Sequence, residues 1–197
     1  MIKLEKTIQL PVERSLYLTG HITCESVNLI IKSINEIREA DISLLSEYNL
    51  LGLKYKPNPI ILYINSCGGD VYHSLGLLPL MSEVKNEYWV RTPIDTFCLG
   101  VALSMALVIF LCGRERYCTP LSRFMIHNLC NMSVGDPTDL QTTATESKEL
   151  EKILNHIITS NSKITPAMLK AKVTLYHDWW IPAKEAKKLG MISSILT

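Results

Sequence analysis

Three short stretches hold residue types able to do covalent chemistry: the pair Gly68-Gly69, Ser104 a few residues after Gly100, and His127 at the end of an apolar run. A serine hydroxyl attacks poorly unless a neutral imidazole takes its proton. The imidazole in turn needs an acid to fix its tautomer and stabilise the imidazolium. The developing oxyanion needs two backbone N–H donors, which a glycine turn and a helix start can supply. Together the three stretches suggest nucleophilic acyl transfer. Each also has a plainer role: Gly68-Gly69 as a tight turn, Ser104 as a helix N-cap or small packing residue, His127 as a satisfied hydrogen-bonding side chain. Neither a Walker loop nor the G-x-S-x-G elbow is present. Candidate acids are Asp70, Asp95, Asp136, Asp139 and Asp178. Asp136 and Asp139 have a sufficient role at a helix start, and Asp178, before Trp179-Trp180-Ile181, is either a turn acid or a carboxylate drawn into a dry place.

These groups need elements to hold them. Ser15 to Thr19 alternates and ends at Gly20, as a short strand does. Val27, Ile30, Ile31, Ile34 and Ile37 recur at helical spacing and predict a helix over 26–40. Residues 41–57, interrupted by Asn49, Gly52 and Pro57, read as a partly ordered insertion. Ile60-Ile61-Leu62-Tyr63-Ile64 has no polar face, as in a strand buried on both sides, and runs into a turn at 65–70 and a helix over 75–84. The pattern repeats: a strand over 94–99 broken by Gly100, then a buried helix over 104–111. Strands over 116–118 and 123–126 follow. Strand, turn and helix in this order predict an α/β fold with functional groups at the carboxyl ends of parallel strands. Asp136 as N-cap and Pro137 at the first position open a helix of about 24 residues over 137–160. Its several apolar stripes outreach a small globule and call for a partner. Helices over 166–172 and 182–189 close the chain, the last ended by Gly190.

Composition narrows the function. At 197 residues the expectation is one domain, and 47% hydrophobic residues supply a core, which excludes disorder. Twenty basic residues against nineteen acidic leave a net charge of +1, no field for gathering nucleic acid or an acidic membrane. The six cysteines form no CxxC pair, which argues against a zinc knuckle or a disulfide framework and for reduced thiols. No apolar stretch near Met1 reads as a secretory signal, and the longest greasy run, Leu99 to Cys112, is shorter than the roughly 20 residues that span a bilayer. The expectation is a soluble protein of the cytoplasm or of an organelle stroma or matrix.

The blocks Tyr63-Ile64-Asn65-Ser66-Cys67-Gly68-Gly69, Gly100-Val101-Ala102-Leu103-Ser104-Met105-Ala106 and Ser122-Arg123-Phe124-Met125-Ile126-His127 resemble the three motif blocks of the Clp protease proteolytic subunit. The ending from Ile181-Pro182-Ala183 through Leu189-Gly190-Met191-Ile192 is similar to that family's closing helix and strand, and the likeness runs in order from about Leu16 to Leu196. The resemblance implies a crotonase-like α/β fold of stacked βαβ units and serine endopeptidase chemistry. Ser104 would be the nucleophile, His127 the general base and Asp178 the orienting acid. Gly69 and Met105 would donate the oxyanion-hole N–H groups, with Gly68 beside them. It also implies that the 137–160 helix is a handle interlocking two stacked heptameric rings, and that an ATP-driven unfoldase feeds unfolded polypeptide into the chamber. No cofactor or metal is implied for this chain.

The sequence departs from the family at residues 41–57, which look inserted, and between Val84 and Ile94, where there is a smaller excess. It departs after His127, where Asn128-Leu129-Cys130-Asn131-Met132 replaces a proline and a glycine pair, and at His177, where the family commonly has arginine. The segment before Ser15 lacks the family's gating-loop sequence. Two rivals remain: a non-catalytic structural subunit of a mixed ring, against which the three triad residue types argue, and a crotonase-type acyl-CoA enzyme, which has no use for the serine and histidine pair.

Overall fold

A computed structural model describes residues 13–81, 92–129, 134–174 and 177–196. The excess between Val84 and Ile94, the gating-loop segment and Cys130 through Met132 fall largely or wholly outside those residues. The described elements are β1 (Ser15–Ile22), α1 (Cys24–Leu50), β2 (Ile60–Gly69), α2 (Val71–Met81), β3 (Ile94–Leu103), α3 (Met105–Leu111), β4 (Arg116–Cys118), β5 (Arg123–Ile126), α4 (Pro137–Ser160), α5 (Pro166–Lys172), β6 (Trp179–Pro182), α6 (Ala183–Lys188) and β7 (Ser194–Ile195).

Among the described residues the sheet has seven strands. β1, β2, β3, β4 and β7 lie side by side and parallel. β5 pairs parallel to the far end of β3 and antiparallel to β6. β3 is long enough to serve β4 with Thr96–Cys98 and β5 with Val101–Leu103, so one strand carries two partners on the same edge. Under the sheet α3 is buried along its whole length, and Phe110 packs against Phe124 with ring centroids 5.2 Å apart.

α1 begins with a capping box between Thr23 and Ser26 and buries Val27, Ile30, Ile34 and Ile37. The sequence pattern ends this helix at Ala40, but the helix continues to Leu50, so 41–50 is not a loose insertion. The reason is Asp41, which occupies the next place on the buried stripe after Ile37 and breaks the apolar pattern without breaking the helix. Its fully buried carboxylate accepts from Arg14 (3.0 Å at Nη1), Tyr55 Oη (2.5 Å) and Thr92 Oγ1, and these hold the start of β1, the 51–59 connection and the approach to β3 around one charge.

Further boundaries differ from the sequence reading: β1 runs on to Ile22, past the expected end at Thr19, and β2 runs to Gly69, across the expected turn at 65–70. β3 does not stop at Gly100: it bulges, with Leu99, Gly100 and Val101 opposite Asn65 alone. A Cβ at Gly100 would stand 2.8 Å from Asn65 Oδ1, which accepts from Val101 N at 3.1 Å, so this glycine admits a close side chain rather than ending the strand. α2 begins at Val71, one residue after the glycine pair, and not at Leu75.

Candidate active site

Ser104 stands between β3 and α3 with φ 54° and ψ −126°, the one positive φ among the described non-glycine residues. Such a conformation costs about 1–3 kcal/mol and persists only where its surroundings over-determine it. Here they do: its N–H donates to Met125 O at 2.9 Å, and its carbonyl accepts from Leu107 and Val108 of α3. Ser104 holds the N-cap position by place, yet its hydroxyl makes no capping bond. The Oγ is instead 2.7 Å from Nε2 of His127. Parallel pairing of Leu103 with Met125 explains the meeting, because the serine and the histidine each lie just beyond the end of a neighbouring strand.

The glycine turn is built against this serine. A Cβ on Gly68 (φ 93°) would lie 2.8 Å from Ser104 Cβ and 3.1 Å from Met105 N, and one on Gly69 (φ 150°) would lie 2.3 Å from Ile22 O. Only glycine fits at either position. The N–H of Gly68 donates to Ser66 Oγ (3.1 Å) and that of Asp70 to Ile22 O (3.0 Å), so both N–H groups flanking Gly69 are committed. Met105 N–H opens α3, in the first turn where helical N–H groups lack intrahelical acceptors. Asn65 and Ser66 brace the turn: Ser66 is buried and donates to Gly20 O at 2.6 Å. The sequence reading missed both, although two polar residues ending an apolar strand were the signal available.

Of the five candidate acids the structure gives four a role other than orienting His127, although one of them, Asp70, lines the same cleft. Asp95 is buried in a bidentate pair with Arg114 (2.8 and 2.7 Å). Asp136 caps α4 through the N–H groups of Thr138 and Asp139, and Asp139 lies in that helix's first turn. Asp70 bonds His73. For Asp178 the structure gives only position: antiparallel β5 and β6 end in the pair Ile126 and Trp179, and His127 and Asp178 each lie one residue beyond that pair. The carboxylate is exposed rather than drawn inward, and no hydrogen bond joins it to His127 here.

Two clefts open on Ser104. One of about 430 Å³ is walled by His21, Cys67, Asp70, Tyr72 and Leu150 with both glycines. The other is a narrow apolar pocket of about 40 Å³ between Met125, Val108, Leu154 and Ile158, with Glu151 and Asn155 at its rim. A third cavity, about 510 Å³ between α4 and α5, reaches His127 from its other side. Burial pushes the Cys98 thiol up to about 12 and those of Cys112 and Cys118 to about 11, which leaves them un-ionised and unreactive. Among the described residues no three His, Cys, Asp or Glu side chains group as metal ligands, and no helix is long and apolar enough to cross a membrane.

A model of the Clp protease family matches residues 6–197. Curated relatives described as ATP-dependent Clp protease proteolytic subunit include one from Bacteroides thetaiotaomicron, 37% identical over 139 residues, which cover 70% of this chain and 60% of the relative. Another, from Bacteroides fragilis, is 36% identical over 139 residues, covering 70% of this chain and 63% of the relative. The match spans about three-fifths of the length of these relatives.

Proposed function

The chain belongs to the Clp protease family, and from that premise we propose that it is a serine endopeptidase subunit, hydrolysing peptide bonds of unfolded polypeptides inside a ring-shaped chamber. The observation that carries this is the 2.7 Å contact between Ser104 Oγ and His127 Nε2 at a strained turn packed against Gly68.

In this reading Ser104 Oγ attacks the scissile carbonyl carbon as its proton passes to His127 Nε2. The carbonyl π-electrons move onto oxygen, where the N–H groups of Gly69 and Met105 stabilise the charge. His127 then protonates the departing amine, leaving an acyl-serine and a shortened peptide. A water molecule then attacks the acyl carbon as its proton passes to the same nitrogen, and collapse of that second tetrahedral adduct breaks the bond to Ser104 Oγ, which takes the proton back as the acid leaves. Nε2 can accept only if the ring proton sits on Nδ1, and Asp178 is the acid we assign to hold it there. Closing that hydrogen bond requires the Asp178 carboxylate to turn inward, a movement that its position just outside the ladder permits.

Assembly follows from two uncovered surfaces. α4 leaves Leu140 and Ile153 about half exposed, 42% and 46%, as a ring-to-ring handle would before it meets its partner. The sheet face away from α3 carries a row of aligned aromatics, Tyr17, Tyr63, Phe97 and Tyr117, of which Tyr17 and Tyr63 stack at 5.1 Å. We assign that row to docking of an ATP-driven unfoldase, the stacked heptameric rings to the oligomer, and the cytoplasm or an organelle stroma or matrix to its location. The test is labelling by a fluorophosphonate probe of a preparation of measured native mass. Label on Ser104 in a species far above 22 kDa supports the reading. No label in the assembled form, or equal label in Ser104→Ala, overturns it.

A further inference from the structure

Asp70 follows the proposed oxyanion donor Gly69 directly and lines the cleft that holds Ser104 and His127. Its carboxylate is fixed there: Oδ1 accepts from the His73 N–H at 3.0 Å, and Oδ2 lies 2.6 Å from His73 Nδ1. Accepting capacity remains, since an ionised carboxylate offers about four lone-pair sites, and the His73 N–H, the His73 ring and a lesser contact with the Tyr72 N–H use at most three. About a third of the side chain stays open to solvent. Among the described residues no lysine or arginine lines the cleft; its other titratable side chains are His21, Cys67, Tyr72 and His127, and Glu25 of α1 adds a second negative charge near His73.

We propose that Asp70 is a specificity-determining residue, selecting peptides that carry a lysine or arginine side chain in the cleft beside the scissile bond. This rests on the peptidase reading. The physical reason is the charge that the reaction creates. An oxyanion in the Gly69 and Met105 hole forms in the same cleft as the carboxylate of the residue after Gly69, and like charges sharing one cleft raise its energy. A substrate cation seated on Asp70 offsets that repulsion and attracts the oxyanion itself. Its benefit is therefore greater in the transition state than in the bound ground state, and appears in kcat as well as KM. Capping of α2 by Oδ1 explains an oxygen at this position but not a charge facing the cleft, since asparagine or serine would cap as well. The hydrogen bond from the His73 N–H, with the nearby ring, holds the Asp70 carboxyl below the usual range, so the charge is present at neutral pH.

The experiment uses the assembled full chain and internally quenched peptides in which one lysine is walked from three residues before the scissile bond to two after it. Each peptide is compared with its glutamine twin. At one position lysine should raise kcat/KM about fivefold, a modest factor because the pair is partly solvated. In both Asp70→Asn and Asp70→Ser, which retain a capping oxygen, that ratio should fall to about one. No position with a ratio above two in the parent chain, or a ratio that survives in either folded variant, overturns the proposal while leaving Ser104-dependent cleavage intact. If the parent cleaves none of the peptides, or Ser104→Ala cleaves them equally, the peptidase reading fails and the proposal falls with it.

Discussion

Two polar clusters in this molecule use similar groups to opposite ends. Around Asp41 a buried carboxylate is surrounded by the Arg14 guanidinium, the Tyr55 phenol and the Thr92 hydroxyl. At the site a hydroxyl and an imidazole meet once, at 2.7 Å, and both stay partly open to a cleft. Asp41 saturates its charge inside the fold and joins segments far apart in sequence. The Ser104 cluster keeps accepting and donating capacity unspent, on a backbone that would relax elsewhere. Saturation marks a structural polar cluster, and unspent valence with local strain marks one that acts on something else. Exchanging the two behaviours by mutation shows whether this distinction holds.

The largest effect is expected at the serine. Ser104→Ala should lower kcat by about 10⁶ with assembly retained, on the scale of nucleophile loss in other serine peptidases. Alanine leaves the positive φ in place, whereas Ser104→Gly removes its steric cost, so the glycine variant should be equally inactive and about 1 kcal/mol more stable than Ser104→Ala. Peptidase assays paired with urea melts read both. Glycine being no more stable than alanine would remove strain from the comparison.

Asp178→Asn comes next. An amide of the same size favours the wrong imidazole tautomer, and the loss should be about 10⁴ in kcat at unchanged native mass. A loss under tenfold would leave the histidine without its assigned acid, and parallel Asn substitutions at 70 and 136 would show whether another carboxylate serves.

At the other cluster the signs reverse. Asp41→Ala should cost about 3 kcal/mol of stability, because it strands the partly buried Arg14 and the Thr92 hydroxyl, yet leave kcat per folded molecule within about twofold. Chemical denaturation read against active-site titration checks this. A tenfold fall in kcat with unchanged stability would mean that the two clusters are coupled.

Much of this was legible in the sequence, unevenly. Ser104, His127 and the glycine pair could be read because chemistry at strand ends restricts residue type. The α4 boundaries could be read because Asp136 and Pro137 mark its start. The extent of α1 could not, since a buried charge on an apolar stripe looks like a boundary until its partners, from 27 residues before to 51 after, are brought to it by the fold. Gly100 misled for a related reason: a glycine admitting the Asn65 side chain and a glycine turning the chain are identical in one dimension. From the residues alone Asp178 was one of five candidate aspartates, and only the family resemblance singled it out; the pairing of Ile126 with Trp179, a tertiary fact, sets both it and His127 one residue beyond the end of the same ladder.

The smallest effect is the sharpest test of saturation, because it removes one hydroxyl, and with it one hydrogen bond, from the Asp41 cluster and nothing else. Burial, then the hydrogen bond and negative charge of Asp41, push the Tyr55 phenol up to about 12 from an ordinary 10. A proton held more tightly in the folded state stabilises it fully below pH 10, and that contribution disappears as pH rises through 12. Burial alone would raise the Asp41 carboxyl, but hydrogen bonds from Arg14, Thr92 and Tyr55 outweigh it and hold the carboxyl below its ordinary 3.8. The Asp41 contribution is therefore present above pH 3.8 and lost as pH falls through the lowered value. Tyr55→Phe should then cost about 1 kcal/mol at pH 8, discounted because the ring is partly exposed. The gap between parent and variant should narrow between pH 10 and 12 and again in acid, once Asp41 is protonated. Urea melts of the two proteins at pH 3, 8 and 11.5, with short incubations at the extremes, measure it. A gap that stays constant across all three would show that Tyr55 contributes packing alone and that the charge of Asp41 is satisfied without it.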